Sequence, residues 1–308
     1  MRITYRRFDG DRGIVISKES NNALHVRLIR PWVTRKRCLF AKDFGHFEAF
    51  YRCAIILHEL VVRLKMKPFV RALTDFHAGI SDAAFIIRRD DGYQTRVSAA
   101  PFFEAESFPP IEICAMEQCS GHILDVGSAA GRHSLELIRR GFKVTSLDIA
   151  PEMEDIMKDR GQSDVVIADI LEFSGQRFDT LLMLMNGIGM VGSLKGLEQF
   201  LQHAHQLVTL GGQIVCDSID VSVGKEPQHV AYREKNLASG RPAGQQAFSM
   251  ECDGEDATLF DWLHVDFPSL TQVCETTGWV TELINSESDG HYLCKITQSA
   301  NKSQQSNR

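Results

Sequence analysis

No run of 18 apolar residues occurs in the chain, and its opening, MRITYRRFDG, lacks the apolar stretch of a secretory signal. Neither a membrane span nor export is expected, and a cytoplasmic setting follows. The eight cysteines (38, 53, 114, 119, 216, 252, 274 and 294) are scattered and form no CxxC pair. That spacing offers no zinc knot and no redox motif, so buried, reduced thiols and no bound metal are expected. Signatures of RNA-binding modules are missing too. What is present suffices for a large fold: 308 residues, 44% hydrophobic and 24% charged, can build one α/β core with an appendage of about 100 residues.

Each part of the chain is poor in charge of one sign. Residues 1–100 carry 19 Lys and Arg against 10 Asp and Glu, net +9, and residues 101–308 carry 15 against 30, net −15, which sum to the −6 of the whole. The two parts are expected to attract each other, and a basic extension also admits RNA or an anionic substrate. The densest positive group is Arg30, Arg35, Lys36 and Arg37 around Pro31 and Trp32. Solvated charge, or docking on the acidic part, is its plainer reading.

The most informative stretch is HILDVGSAAGRHSLELIRRGFKVTSLD, from His122 to Asp148. Ile123 and Leu124 begin a buried strand, Gly127 and Gly131 bracket a turn, and Leu135, Leu137 and Ile138 give the next segment an apolar helical face that Gly141 ends. Phe142, Val144 and Leu147 make a second strand with Asp148 at its C-terminal end, the edge where open α/β sheets bind ligands. A carboxylate there can accept both hydroxyls of a ribose. The dinucleotide fingerprint places G-x-G-x-x-G at such a turn, with a pyrophosphate on the helix N-terminus. Here the turn is Gly127-Ser-Ala-Ala-Gly131, with Asp125 two residues ahead of it. A carboxylate beside the loop repels a pyrophosphate and suits a cationic group.

These residues resemble the first motif, acid-x-Gly-x-Gly-x-Gly, of the class I S-adenosylmethionine-dependent methyltransferases of small-molecule type; the likeness covers roughly Ile123 to Thr297. It implies an α/β, Rossmann-like seven-stranded sheet with helices on both faces. It also implies S-adenosylmethionine as cofactor and methyl transfer by in-line displacement to N, O or C of a small molecule. By the same resemblance Asp125, Gly127, Ser128, Ala129 and Gly131 lie at the methionine end, Asp148 and Ile149 at the ribose, and Asp169 and Ile170 of VVIADILEF at the adenine. Ala129 replaces the middle glycine; its methyl narrows the cofactor's approach and is tolerated where φ stays negative. That departure raises a non-catalytic cofactor-binding protein as an alternative. Asn186, in MNGIGMVG, stands where this family keeps its substrate-facing fourth motif and also borders the cofactor. Its carbonyl can orient an amine, while Gly187 and Gly189 let backbone come close. The prolines and aromatic that DNA amino-methyltransferases carry there are missing, so DNA is not expected. An RNA acceptor using the basic N-terminal region is the remaining nucleic-acid alternative.

A sulfonium methyl is already activated, so alignment carries the reaction, worth roughly 7–11 kcal/mol in favourable systems. A base is needed only where the acceptor must lose a proton. The candidates to face the acceptor are Asn186, Asp217 after the fifth strand, His77 of Asp75-Phe-His77, and Tyr232, with His264 as a further base. Each has a plain structural counterpart as turn residue, cap or buried support, and for His133 in the first helical turn packing is the better reading.

Three segments are expected: a basic α+β extension over 1–104, the methyltransferase domain over 105–298, and a disordered tail over 299–308. In the extension GIVIS, LHVRLI and RCLF read as strands, and 45–67 as an amphipathic helix that Pro68 ends or kinks. That helix seeks the core or, in a homodimer, a second subunit. AFIIRRDDGYQTRVS reads as a hairpin about Asp91-Gly92. In the domain, Pro151 opens a helix; DVVIAD, FDTLLMLMN and QIVCDS are strands; Leu194–Leu207 and Ser269–Thr277 are helices; WVTELINSES and GHYLCKIT form a closing pair. An insertion of about 48 residues, Ile219 to Asp266, is too long for a plain connection. Alternation in QAFSMEC and TLFDWLHV points to added antiparallel strands covering the substrate, with Tyr232, Glu234, Asn236, Arg241 and Gln245 available to line that cover.

Overall fold

The structure, a computed structural model, describes the strands at residues 3–9, 12–18 and 24–29, and residues 65–104, 107–256 and 258–299. The chain divides into two compact units, Met1–Arg52 and Cys53–Arg308. In the first, β1 (Ile3–Asp9), β2 (Arg12–Lys18) and β3 (Leu24–Ile29) form an antiparallel meander. The expected GIVIS and LHVRLI strands are β2 and β3. ITYRRFD of β1 escaped the reading because Arg6-Arg7 interrupts its apolar alternation. The RCLF strand, most of the 45–67 helix, the Arg30–Arg37 group and the tail beyond Ser299 lie outside the described residues.

The second unit opens with a helix, α1, over residues 65–77, followed by the hairpin β4 (Ala84–Arg89) and β5 (Gln94–Ser98), then α2 (Pro110–Gln118). The core alternates β6 (His122–Val126), α3 (Arg132–Arg139), β7 (Lys143–Asp148), α4 (Glu152–Asp159), β8 (Val165–Ile167), β9 (Phe178–Met183), α5 (Leu194–Leu207) and β10 (Val208–Ile219). The insertion supplies α6 (Pro227–Ala238), β11 (Gln245–Cys252), β12 (Glu255–Asp256) and β13 (Phe260–Leu263). The chain closes with α7 (Phe267–Thr276), β14 (Trp279–Ser286) and β15 (His291–Gln298).

Seven strands form one sheet in the order β8-β7-β6-β9-β10-β15-β14. β15 runs antiparallel to both of its neighbours. Its two-sided burial follows from the strand period of two. Leu124, Leu181, Met183, Ile214 and Cys216 point to one side and pack on Leu197, Phe200 and Leu201 of α5 and on Leu270 of α7. Their neighbours Ile123, Leu182 and Val215 point to the other, against Ile111 and Met116 of α2 and Leu137 of α3. Helices therefore cover both faces, as expected. Among the described residues, no helix is long and apolar enough to cross a membrane.

A second sheet is built from segments far apart in sequence. β4 of the N-terminal hairpin pairs antiparallel with β11 of the insertion, giving the order β12-β11-β4-β5, and β13 pairs with β11 on the remaining register. The expected boundary at residue 104 therefore needs correction: residues 65–104 are built into the unit that holds the core. Phe69, Leu73, Phe85 and Met250 share one buried cluster with Ala129, Ala130, Ala150, Met153 and Met157, so α1 and this sheet sit over the glycine turn and α4. Pro68 does not end its helix, which runs on through His77. Phe69, Val70, Ala72 and Leu73 behind it are buried and hold the helix on the core. α6 went unread because, of its twelve residues, only Tyr232 and Asn236 are buried, too thin a stripe to show as helical periodicity.

Candidate active site

The turn between β6 and α3 is clamped to the end of β7. Gly127 N and Ser128 N both donate to Leu147 O, at 2.8 and 3.1 Å, and Gly131 N donates to Ser128 O at 2.7 Å. Asp148, buried at that strand end, accepts from Ala129 N through Oδ2 and from Ala150 N through Oδ1, each at 2.9 Å. Burial pushes its carboxyl above the usual range, and hydrogen bonds from the Ala150 and Ala129 amides pull the other way. Gly127 and Gly131 have φ of +72° and +77°, and a Cβ on Gly127 would fall 2.9 Å from Met190 Cε. Ala129 has φ +48°, so the condition of a negative φ under which its methyl is easily tolerated is not met. The left-handed backbone lies where the family keeps glycine, and the alanine carries its cost, about 1–2 kcal/mol.

The other members of the expected cofactor set divide. Asp125 is buried, its carboxyl raised by desolvation, and its Oδ2 accepts from Ser134 Oγ at 2.6 Å under α3. Ser128 turns its hydroxyl inward, to Leu147 O and Met157 Sδ. Ile149 stays half-buried beside Asp148. Asp169 Oδ1 accepts from Leu171 N at 2.9 Å and closes a turn, while the Ile170 side chain packs in the core cluster with Leu124 and Leu197. Arg160 ties the turn to the N-terminal region by donating to Ala130 O and to Phe103 O.

At the end of β9 the backbone is strained. Met185 and Asn186 are consecutive non-glycine residues with φ of +57° and +59°, and such outliers cost of order 1–3 kcal/mol each and gather at functional sites. Asn186 N donates to Asp217 Oδ1 at 2.8 Å, and Asp217 Oδ2 pairs with His291 Nε2 at 2.8 Å. The two expected residues Asn186 and Asp217 are thus brought together, and His291 joins them unforeseen. Only the register of β15 on β10, Ile219 opposite His291, could have revealed it. The hydrogen bond to Asp217 raises the His291 pKa. Asn186 Oδ1 is enclosed and has no hydrogen-bond partner.

The 3-10 turn Gly187–Val191 and Gly192 after it carry the spacing G-x-G-x-x-G, but its glycines admit the second sheet. A Cβ on Gly189 would lie 2.1 Å from Trp262 Nε1, and one on Gly192 would lie 3.1 Å from Asp261 O. Trp262 and Met190, the side chains that approach Gly189 and Gly127, are contacts that the sequence reading missed.

Two expected acceptor-facing residues sit elsewhere. His77 pairs with Asp159 at 3.2 Å, at the end of α4 remote from Asp148, and stacks on Phe103. Tyr232 is buried between α6 and the second sheet, where its hydroxyl accepts from Ala247 N at 3.2 Å and the Arg89 guanidinium lies 4.1 Å over its ring. Burial lifts its phenol to about 12. Both positions follow from packing partners contributed by distant segments. Asn236 supports the Ala243 and Gln245 carbonyls, Arg241 pairs with Asp261, and Glu234 is exposed. His133 pairs with Glu112 at 2.8 Å, as its packing reading anticipated. His264, enclosed at Nδ1, has no partner there, and burial lowers its pKa to about 4.

Sheet order, glycine turn and strand-end acid define a Rossmann-like fold. The family described as "Methyltransferase domain" matches residues 123–212. A solved structure of an S-adenosylmethionine-dependent methyltransferase from Bacteroides fragilis, in complex with S-adenosyl-L-homocysteine, is similar with a TM-score of 0.68 and 28% identity, covering 77% of this chain and 97% of that one. The CcbJ methyltransferase from Streptomyces caelestis aligns with a TM-score of 0.48 and 13% identity over 64% of this chain and 93% of that one. Comparison with curated proteins gives no match. Together these likenesses support a class I S-adenosylmethionine-dependent methyltransferase.

Proposed function

We propose that this chain methylates a small-molecule acceptor bearing an N–H or O–H, with S-adenosylmethionine bound over the Gly127–Gly131 turn. The observation that carries the reading is the Asn186 carbonyl: an enclosed acceptor without a donor, on a strained residue that Asp217 holds by its backbone. A buried acceptor left unpaired costs about 1–3 kcal/mol, a cost that a bound donor removes.

The turn fits the cofactor. Gly127 and Gly131 present backbone without Cβ, and each oxygen of Asp148 holds one amide and retains lone pairs for a ribose hydroxyl. Ile149 borders the same space, and Asp169 stands at the adenine end through its turn. When bound, the cofactor supplies a sulfonium methyl already activated for displacement. The protein's part is then positional: Asp217 fixes Asn186, Asn186 orients the acceptor, and the second sheet with α1 excludes water.

Calorimetry tests the reading. S-adenosylmethionine is expected to bind at micromolar to millimolar concentration, and Asp148→Ala to weaken it by at least about tenfold, having removed two amide acceptors and the ribose contact. No binding at millimolar concentration sinks the proposal, and unchanged affinity in the variant misplaces the ribose.

A further inference from the structure

Met185 and Asn186 hold left-handed backbone in succession, and such a pair persists only where its surroundings over-determine it. Local bonds close the turn that follows: Gly187 N donates to Leu184 O at 3.0 Å and Gly189 N to Asn186 O at 2.8 Å. The tie to a neighbouring strand is the Asn186 amide on Asp217 Oδ1, and Asp217 is itself held from β15 by His291. The strand register explains that reach. Ile219 pairs with His291 and Asp217 with Leu293, so Asp217 and His291 are diagonal neighbours on one face of the β10–β15 pair. The backbone of His291 is fixed without its ring, since its N–H donates to Asp289 Oδ1 at 3.0 Å and its carbonyl accepts from Glu287 N at 2.7 Å.

The turn so held abuts the glycine turn. A Cβ on Gly187 would lie 3.9 Å from Val126 O, and one on Gly127 would lie 2.9 Å from Met190 Cε. A shift of Asn186 therefore displaces the segment that packs on the start of the Gly127–Gly131 turn. Asp217 is buried, and among the described residues His291 is the basic group within ion-pair distance of it; a buried carboxylate deprived of its partner is costly. The hydrogen bond to Asp217 raises the His291 pKa, burial opposes it, and the charges of Asp217, Glu287 and Asp289 add to the rise. On α2, which packs on β15, Glu112 is paired with Arg132 and His133 and Glu117 is exposed, while Lys295 further along β15 is paired with Glu282. Resting on the methyltransferase reading above, we propose that His291 is a positioning residue for the cofactor: its imidazolium holds Asp217, Asp217 holds Asn186, and the segment from Asn186 to Met190 backs the turn on which S-adenosylmethionine lies. Loss of the proton leaves a neutral donor on a buried carboxylate, loosens the segment and weakens the cofactor. Protonation and binding are then linked, each favouring the other by the same factor.

Calorimetry with S-adenosylhomocysteine from about pH 5.5 to about 9 tests this. The unaltered protein is expected to bind about tenfold more tightly below the His291 midpoint than above it, and saturation should lift that midpoint by about one pH unit in an NMR titration. His291→Gln keeps an N–H for Asp217 but does not titrate, so it should bind as the unaltered protein does above the midpoint, with the pH step gone. His291→Leu leaves Asp217 with the Asn186 amide and should weaken binding about tenfold further at every pH. A merely structural histidine gives another pattern: both variants melt at lower temperature yet bind S-adenosylhomocysteine as the unaltered protein does, and that result overturns the proposal. So does a pH step that survives in His291→Gln, or a midpoint that saturation does not move. Should His291→Leu fail to fold, His291→Gln and the NMR midpoint decide the matter by themselves. Failure of the unaltered protein to bind S-adenosylhomocysteine is a different result, and removes the methyltransferase reading itself.

Discussion

Ala129 sits at φ +48° with its amide bound to Asp148. Glycine would relieve the backbone at some cost in unfolded-chain entropy, so Ala129→Gly is expected to stabilise the protein by up to about 1 kcal/mol in chemical denaturation, without loss of cofactor affinity. His291 and His264 respond oppositely to pH. His291 gains a hydrogen bond to Asp217 and its pKa rises; its stabilisation is complete below the ordinary value near 6.5 and is lost as pH climbs through the raised one. An NMR titration should show that elevated midpoint, and Asp217→Asn, which keeps an oxygen for Asn186, should lower it. His264 is held at about 4 by burial. The unfolded chain then binds the extra proton first, so stability falls as pH drops from about 6.5 towards 4, by at most about 3 kcal/mol. His264→Phe should show a shallower loss over that window in denaturation at several pH values.

At the scale of elements, the second sheet was legible in pieces. The Asp91-Gly92 hairpin and the alternating strands of the insertion were each expected, and both are found. Their joining through β4 and β11 was not, since pairing across about 160 residues leaves no local signal. Arg89 shows what secures the union. It is buried, grips Asp91, contacts His229 at 3.1 Å and lies over Tyr232, so it links the hairpin to α6. Arg89→Met should destabilise the protein by roughly 2–3 kcal/mol, moderated by the partly exposed Asp91, and raise hydrogen exchange first in α6 and β11. Gly189→Ala probes the facing wall. Its methyl would collide with the Trp262 indole, so a loss of about 1–3 kcal/mol is expected together with altered Trp262 fluorescence.

At the scale of the whole molecule, the division at Arg52 separates the β1–β3 meander from everything else, whereas residues 65–104 share a buried cluster with the glycine turn. Removing residues 1–104 would strip α1 and β4 from that cluster and leave the β11 edge unpaired, and the product should aggregate or lack a cooperative thermal transition. Removing residues 1–52 should leave a cooperative transition, which calorimetry can verify for both. The sequence alone determined the Rossmann-like domain, because its strands are short apolar runs, its glycines mark turns of positive φ, and Asp148 follows its strand directly; all of these are local signals. It could not show that Ala129 adopts a glycine-like conformation, that His291 reaches Asp217, or that Trp262 rests on Gly189. Those features depend on strand register and layer packing between distant segments, and only the tertiary structure decided them. The same packing gave His77 and Tyr232 structural partners from distant segments, Asp159 and Arg89.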